Sequence, residues 1–449
     1  MPKRRLTKGT GLVHCVRILA SIAIVSLALT APFPKASAAP RIIDPLLQQV
    51  LQSGDPLETV QAIVTFSSRP SLLDLSALTA VGVEVSPFRQ LPMVAIQGTR
   101  LQVSAVTKLA LPKLVSIYLN RQLRYFLDES TQVIGATQVW NTLGITGAGV
   151  TVAVLDSGID GLHTDLPTGS KVVQNVKVAS DPFGLLPPLA LENLPTTDTT
   201  SGHGTHCAST IGGTGAAAAG RYRGVAPGAQ LVGVSAGEVI VILSALQGFD
   251  WILENQARYG IRVISNSWGT TGAFDANDPI NVATKTAHDR GMVVVFAAGN
   301  EGPGINTLNP YSVAPWVIGV AAGNKDGQTL ADFSSRGVPG SSVYQPTITA
   351  PGVDIVAARA LTGVITVLGL PSDVALGADA VRYTTMSGTS MATPHVAGVV
   401  ALMLEAAPGL TPAQVKSALQ STATPMPAYA VHEVGSGYVN ALAAVNAVR

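Results

Sequence analysis

Ser390 lies in the run Met386-Ser387-Gly388-Thr389-Ser390-Met391-Ala392-Thr393-Pro394-His395-Val396-Ala397-Gly398. Apolar residues then fall at Val396, Val399, Val400, Met403 and Leu404, the spacing of one helix face, until Pro408-Gly409 interrupts it. The pattern puts Ser390 at a helix N-terminus, where unsatisfied N–H groups and the positive end of the helix dipole stabilise developing negative charge. A serine in that place is otherwise an N-cap. To act as a nucleophile it needs a base, a group that holds and charges that base, and donors for an oxyanion.

Candidates for all three occur in the sequence. Asp156 follows the β-branched run Val150 to Leu155, at the strand end where parallel sheets bind ligands; a turn aspartate is the plain alternative. His203 stands between glycines in Ser201-Gly202-His203-Gly204-Thr205-His206-Cys207, which leaves an imidazole approachable. His203 and His206 have an i, i+3 spacing that would also suit a metal, yet no acidic or sulfur cluster joins them. Cys207 is either a thiol nucleophile or a small buried filler. Asn300 ends Val293 to Gly299 and could donate its amide to an oxyanion, or simply make a turn. Ser267-Trp268-Gly269, after the strand Arg262 to Ile264, could offer backbone to an extended ligand.

The elements that must position these residues follow from periodicity. Strands at Val150 to Leu155, Arg262 to Ile264, Met292 to Phe296 and Trp316 to Val320 alternate with helices from about Leu243 to Gly260 and Pro279 to Gly291. That alternation predicts an α/β domain with a mainly parallel sheet covered on both faces. Thr411-Pro412-Ala413-Gln414 has the form of a capping box. Ahead of it, Ala62 to Phe66, Val83 to Val85, Met93 to Ile96 and Val115 to Leu119 read as strands, with helices at Leu72 to Val81 and Leu101 to Leu109. This is a β-α-β-β-α-β, ferredoxin-like α+β unit without a chemical motif.

The chain has 449 residues, 47% hydrophobic and 12% charged, with formal net charge +1. A packed globular body is expected, without the basic footprint of a nucleic-acid binder. Lys3, Arg4, Arg5, Lys8 and Arg17 precede an apolar run from Ile18 to Ala31 and Ala36-Ser37-Ala38, the layout of a signal peptide over residues 1–38 and hence of a secreted protein. Cys15 would leave with it, and Cys207 would remain without a disulfide partner.

The order Asp…His…Ser is that of subtilisin, and from about residue 130 the sequence resembles the subtilases, subtilisin-like serine proteases. The blocks around Asp156, His203, Asn300 and Ser390 carry the resemblance, joined by His163-Thr164-Asp165-Leu166, Gly224-Val225-Ala226-Pro227 and Asp332-Phe333-Ser334-Ser335-Arg336-Gly337. A Ser-type esterase would need a Gly-x-Ser-x-Gly elbow and the order Ser…Asp…His. A catalytically silent member of the fold would have lost one of these groups.

The resemblance implies a three-layer α/β peptidase domain over 129–449 and a propeptide over 39–128 that assists folding, inhibits and is cut off between about Leu119 and Ser130. It implies Ser390 as nucleophile, His203 as general base, Asp156 as its partner, Asn300 in the oxyanion hole, and Ser267, Trp268 and Gly269 as substrate-binding backbone. Protein and peptide substrates, a monomer, and neither nucleic acid nor membrane after signal removal complete the expectation. The chemistry needs no cofactor. Many members hold calcium with an Asn-rich loop; here Gly215-Ala216-Ala217-Ala218-Ala219-Gly220-Arg221-Tyr222-Arg223 stands there. A weaker calcium site at Asp160, Asp165 or Asp181 stays open and is not predicted. The segment Ala360 to Val381 is long and apolar, which suggests a surface loop near the cleft, and the pocket segments show no prominent carboxylate.

Overall fold

A computed structural model describes residues 42–120, 127–179, 189–237, 240–363 and 370–449. The segment 1–38, Cys15, Asp181 and residues 121–126 of the expected cleavage region lie outside the described residues. Contacts divide the chain into two compact units, Met1–Gln122 and Leu123–Arg449.

The first unit runs β1 (Ile42–Ile43), α1 (Pro45–Gln52), β2 (Thr59–Phe66), α2 (Leu72–Ala80), β3 (Glu84–Pro87), β4 (Met93–Thr99), α3 (Arg100–Val106) and β5 (Leu114–Leu119). The sheet order is β1-β5-β2-β4-β3, with β2 antiparallel to both neighbours. Alternate residues of β2, Val60, Ala62, Val64 and Phe66, are buried with Leu78, Val103 and Val106 of the helices, as a one-sided sheet requires. Ser71 with Asp74 and Thr99 with Gln102 form capping boxes that start α2 and α3. The β-α-β-β-α-β core matches the sequence pattern. The added β1 and α1 stand outside the pattern read from the sequence; β1 is only two residues long, while α1 does carry Leu46, Leu47, Val50 and Leu51 at helical spacing, and Asp44 caps it through Leu46 N–H.

The second unit runs α4 (Leu127–Val133), β6 (Thr151–Asp156), β7 (Val172–Ala179), β8 (Leu189–Leu191), α5 (His203–Gly212), β9 (Gln230–Ser235), α6 (Ile242–Tyr259), β10 (Ile261–Asn266) and α7 (Pro279–Asp289). There follow β11 (Val293–Ala297), β12 (Val317–Gly323), β13 (Ile348–Pro351), β14 (Ile355–Ala358), β15 (Tyr383–Met386), α8 (Thr389–Ala406) and α9 (Pro412–Ser421). The main sheet has the order β13-β12-β11-β10-β6-β9-β7-β8, parallel except for β8 on β7. Along β6, Val152 and Val154 enter one buried cluster and Ala153 and Leu155 another. Both sheet faces are therefore covered, which is why the run carries no polar alternation. The first cluster contains α5 and the buried α8, the second α6 and α7. Gly398 lets α8 pass close to Val225, whose Cβ a side chain there would meet at 2.5 Å.

The sequence places Asp156 after its strand and Ser390 before its helix; the structure moves each by a residue or two. Asp156 ends β6, and Ser390 is the second residue of α8, with Gly388 at the N-cap. The segment expected as a surface loop is different in kind. Residues Leu370–Val381 form a 3₁₀ helix kinked at Asp373 and Gly377, and Leu376 and Ala380 join the core. The cause is Arg359, 1% exposed, which pairs with buried Asp373 and donates to the carbonyls of Ala380 and Tyr383. Asp373 also accepts from Thr384 Oγ1 and Thr385 N–H. A buried guanidinium has to be paired, and its partner pulls the segment inward.

The far end of α8 is held as firmly. Glu405 Oε2 accepts from the N–H groups of Thr146 (2.7 Å), Gly147 and Ala148 (2.9 Å), the turn that feeds β6. Glu405→Ala strips three donors of their acceptor, so we expect a loss of about 2–3 kcal/mol. A lower urea midpoint with unchanged m-value, measured on the Ser390→Ala chain, is the check.

Candidate active site

Asp156 is 2% exposed at the end of β6. Its Oδ1 accepts from Ser157 N–H at 2.8 Å and from His203 Nδ1 at 2.7 Å. The glycine after His203 makes the approach possible, because a Cβ on Gly204 would lie 2.2 Å from Gly158 O and 3.1 Å from Asp156 Cβ. Burial opposes protonation of His203, but the Asp156 carboxylate outweighs it and holds the imidazole well above its ordinary value of 6.5. The ring stays 32% exposed, so it can meet a ligand.

A second carboxylate sets the start of α5. Asp198, fully buried, accepts from Gly202 N–H (2.9 Å), Thr205 N–H (3.0 Å), Thr205 Oγ1 (2.6 Å) and Ser157 Oγ (3.3 Å). Ser157 Oγ in turn accepts from Gly204 N–H at 2.8 Å. These bonds satisfy helix donors that would otherwise be orphaned and lock His203 to the loop of Asp156. Nothing in Thr197-Asp198-Thr199 distinguishes Asp198 from a turn residue in the sequence.

Ser390 lies beside this pair: Cys207 Sγ is 3.9 Å from His203 Nδ1 and donates to Ser390 O at 3.4 Å. Ser390 Oγ donates to Ser267 O at 2.9 Å, while Ser267 Oγ donates to Ser390 O at 2.8 Å. In this conformation the Ser390 hydroxyl is thus held by β10's exit and not by His203. Asn300 Oδ1 accepts from Thr389 N–H and Thr389 Oγ1, both at 2.9 Å. Since those donors can only face the amide oxygen, Nδ2 is left free to donate elsewhere. Thr389 Oγ1 also accepts from Gly299 N–H at 3.2 Å, so this buried threonine fixes Asn300 from both sides. Its role was hidden in the Gly-Thr-Ser run. At the start of α8, Met391 and Ala392 N–H reach Gly388 O, and Ser390 N–H has no partner among the described residues.

Trp268 is anchored by Nε1 to Leu155 O at 2.8 Å and packs edge-on to Phe296, centroids 4.9 Å apart. Gly269 is required by Asn309, whose Nδ2 would sit 2.2 Å from a Cβ there. That Nδ2 donates to Trp268 O and Ala297 O. A cleft of about 350 Å³ opens between these segments, lined by Trp268, Gly269, Asn300, Glu301, Asn309 and Ser390 among others. The sequence reading found no carboxylate here; the turn that carries Asn300 brings Glu301 into the lining.

The thiol reading and the pairing of His203 with His206 lose support, while an acidic and a sulfur ligand do join His203, contrary to the sequence expectation: Asp156, His203 and Cys207 place three possible ligand atoms within 4.8 Å of one another. Burial raises the Cys207 thiol above its ordinary value, and its proton is spent on Ser390 O, so it is a poor nucleophile. His206 Nε2 bonds to Ile355 O at 2.8 Å, and burial pushes it down to about 3. It is a neutral core histidine turned away from any site shared with His203.

Residues 147–439 match the Subtilase family. Serine protease AprX of Bacillus subtilis is 35% identical over 344 residues, 72% of this chain and 73% of that one. Subtilisin Savinase of Lederbergia lenta is 32% identical over 304 residues, 67% of this chain and 92% of that one. Among solved structures, sphericase is similar with a TM-score of 0.55 at 26% identity, covering 72% of this chain and 99% of its own. The match spans the whole arc from the turn before β6 to beyond α8 that brings Asp156, His203, Asn300 and Ser390 together, and the chain belongs to the subtilase family of serine endopeptidases.

Proposed function

We propose that this chain is a secreted, self-processing zymogen that cuts proteins and peptides with Asp156, His203 and Ser390. The observation that carries the reading is the 2.7 Å bond from His203 Nδ1 to buried Asp156. It fixes the tautomer that leaves Nε2 as a base. On substrate binding, Ser390 Oγ rotates from Ser267 O to His203 Nε2 and gives up its proton while attacking the scissile carbonyl. Such contacts commonly tighten only in the loaded enzyme. Asp156 stabilises the imidazolium, and His203 then protonates the leaving amine. The oxyanion takes Ser390 N–H and Asn300 Nδ2, which is supported by their freedom from other partners and by the hold of Thr389 on Asn300 Oδ1.

Substrate backbone adds as a strand along Ser267–Gly269; in support, Gly269 N–H and C=O make no backbone bond among the described residues. The catalytically silent reading is disfavoured by the intact Asp156–His203 pair. Residues 1–38 would be the signal peptide and 39–128 the inhibitory propeptide, supported by the signal-type composition and by the separate compact fold up to Gln122. No described helix is long and apolar enough to cross a membrane. The mature enzyme would act as a monomer and need no cofactor for its chemistry.

Expressed from residue 39, the chain should hydrolyse casein and shed about ninety residues, those of 39–128, whereas Ser390→Ala should stay full length and inert. Activity in Ser390→Ala, or casein-inert wild type that a serine-reactive phosphonate fails to label, would refute the proposal. Because His203 sits above 6.5 and only its neutral form is a base, kcat/KM should fall with acid through a midpoint above 6.5. Asp156→Asn should cost about 10⁴ in kcat. Asn300→Ala should lower kcat by about 10²–10³, the loss known for the equivalent donor in subtilisin itself. Thr389→Val should lower kcat about tenfold with little change in KM, and much less in the Asn300→Ala background, a coupling that a double-mutant cycle reads directly.

A further inference from the structure

The fold family implies a structural calcium ion at the loop that follows the helix of His203, and the residues present do not fit one. Calcium takes about six to eight oxygen ligands, with carboxylates prominent. The loop from Gly213 to Gly224 reads Gly-Thr-Gly-Ala-Ala-Ala-Ala-Gly-Arg-Tyr-Arg-Gly. It offers no carboxylate and no side-chain amide, and it adds two guanidinium groups. Three of its carbonyls are spent internally: Gly213 O accepts from Gly224 N–H at 2.9 Å, Gly215 O from Ala218 and Gly220 N–H at 3.0 and 2.8 Å, and Ala218 O from Arg221 N–H at 3.0 Å. Positive φ at Gly215, Ala219 and Gly220 lets the loop coil on itself in this way.

The carboxylate packed against this loop is Asp165, fully buried. Its Oδ1 accepts from Ala217 N–H at 2.8 Å and its Oδ2 from the Tyr383 hydroxyl at 2.7 Å. Its backbone carbonyl accepts from Thr214 N–H at 3.1 Å. Asp160 is likewise taken, by the N–H groups of Leu162 and Leu361 at 3.1 and 2.8 Å. Tyr383 is itself buried, with its ring 4.4 Å from that of Tyr222 and 5.8 Å from that of His163. His163 Nε2 bonds to the neighbouring Arg382 O at 2.8 Å. Burial, with the Asp165 carboxylate adding to it, keeps the Tyr383 phenol protonated and so a permanent donor.

We propose that the Tyr383 hydroxyl and the Ala217 amide do here what a cation does elsewhere in the family. They satisfy Asp165 and tie the loop 213–224 to β15, the strand that leads into Ser390, so the chain uses no calcium at Asp165. A cation at Asp165 would compete with both donors, and one that displaced Tyr383 would leave its hydroxyl buried without an acceptor, a cost that disfavours it.

The test is thermal unfolding of the full-length Ser390→Ala chain, where neither self-cleavage nor the protease reading affects the outcome. The midpoint should be the same in excess EDTA and in millimolar calcium. Tyr383→Phe should lower it by about 2–4 °C in both media. A calcium-dependent rise that Asp165→Asn abolishes overturns the proposal, and so does a Tyr383→Phe chain with an unchanged midpoint. A calcium-dependent rise that survives Asp165→Asn places the ion elsewhere and upholds it. If Tyr383→Phe fails to fold, the calcium response of Asp165→Asn against its parent still decides.

Discussion

A charged carboxylate at the end of a buried parallel strand is tolerable only if donors are brought to it, and Asp156 sets that demand. Its Oδ1 is satisfied by the neighbouring Ser157 amide and by the imidazole of His203 on another helix, while its Oδ2 is buried without a partner among the described residues. For His203 to arrive, α5 must start within van der Waals contact of the β6 turn, which only a glycine at 204 permits. Asp198 and Ser157 then hold that helix start in place. The geometry of the Asp156–His203 pair is therefore a consequence of how one buried carboxylate is accommodated.

The same device recurs where no chemistry takes place. Glu405 gathers three amides before β6, Asp373 draws Arg359 and β15 together, and Asp165 joins a loop to Tyr383. Each carboxylate ties segments that the hydrophobic core alone would leave free to slide. Two of them, Asp165 and Asp373, act on β15, from which Gly388, Thr389 and Ser390 follow directly. Placement of Ser390 is shared between a packed helix and hydrogen-bonded strand entry, which would suit a site that must hold its parts to within a fraction of an ångström.

Much of this was legible in the sequence, for reasons that differ by residue. Strands such as β6 and β11 carry apolar runs without polar alternation because both sheet faces are covered, and α8 shows its apolar spacing from Val396 to Leu404. The motif residues stand out because glycines flank them. Asp198 did not stand out because it reads as a turn residue, and Thr389 and Glu405 did not because their partners come from other segments: Glu405 meets Gly147 across 258 positions of sequence. The 3₁₀ helix from Leu370 was equally hidden, because it depends on a guanidinium just past the end of β14. Local patterns report faces and caps; they do not report which distant donor a carboxylate will find.

The central claim is that Asp156 holds His203 in the tautomer that makes Nε2 a base. Nitrogen NMR of ¹⁵N-histidine in the Ser390→Ala chain, with His203 assigned by His203→Gln, reads that state directly. The account predicts that neutral His203 carries its proton on Nδ1 and titrates above 6.5, and that Asp156→Asn removes both features. A proton on Nε2, or a titration at or below 6.5 that ignores Asp156→Asn, would contradict it.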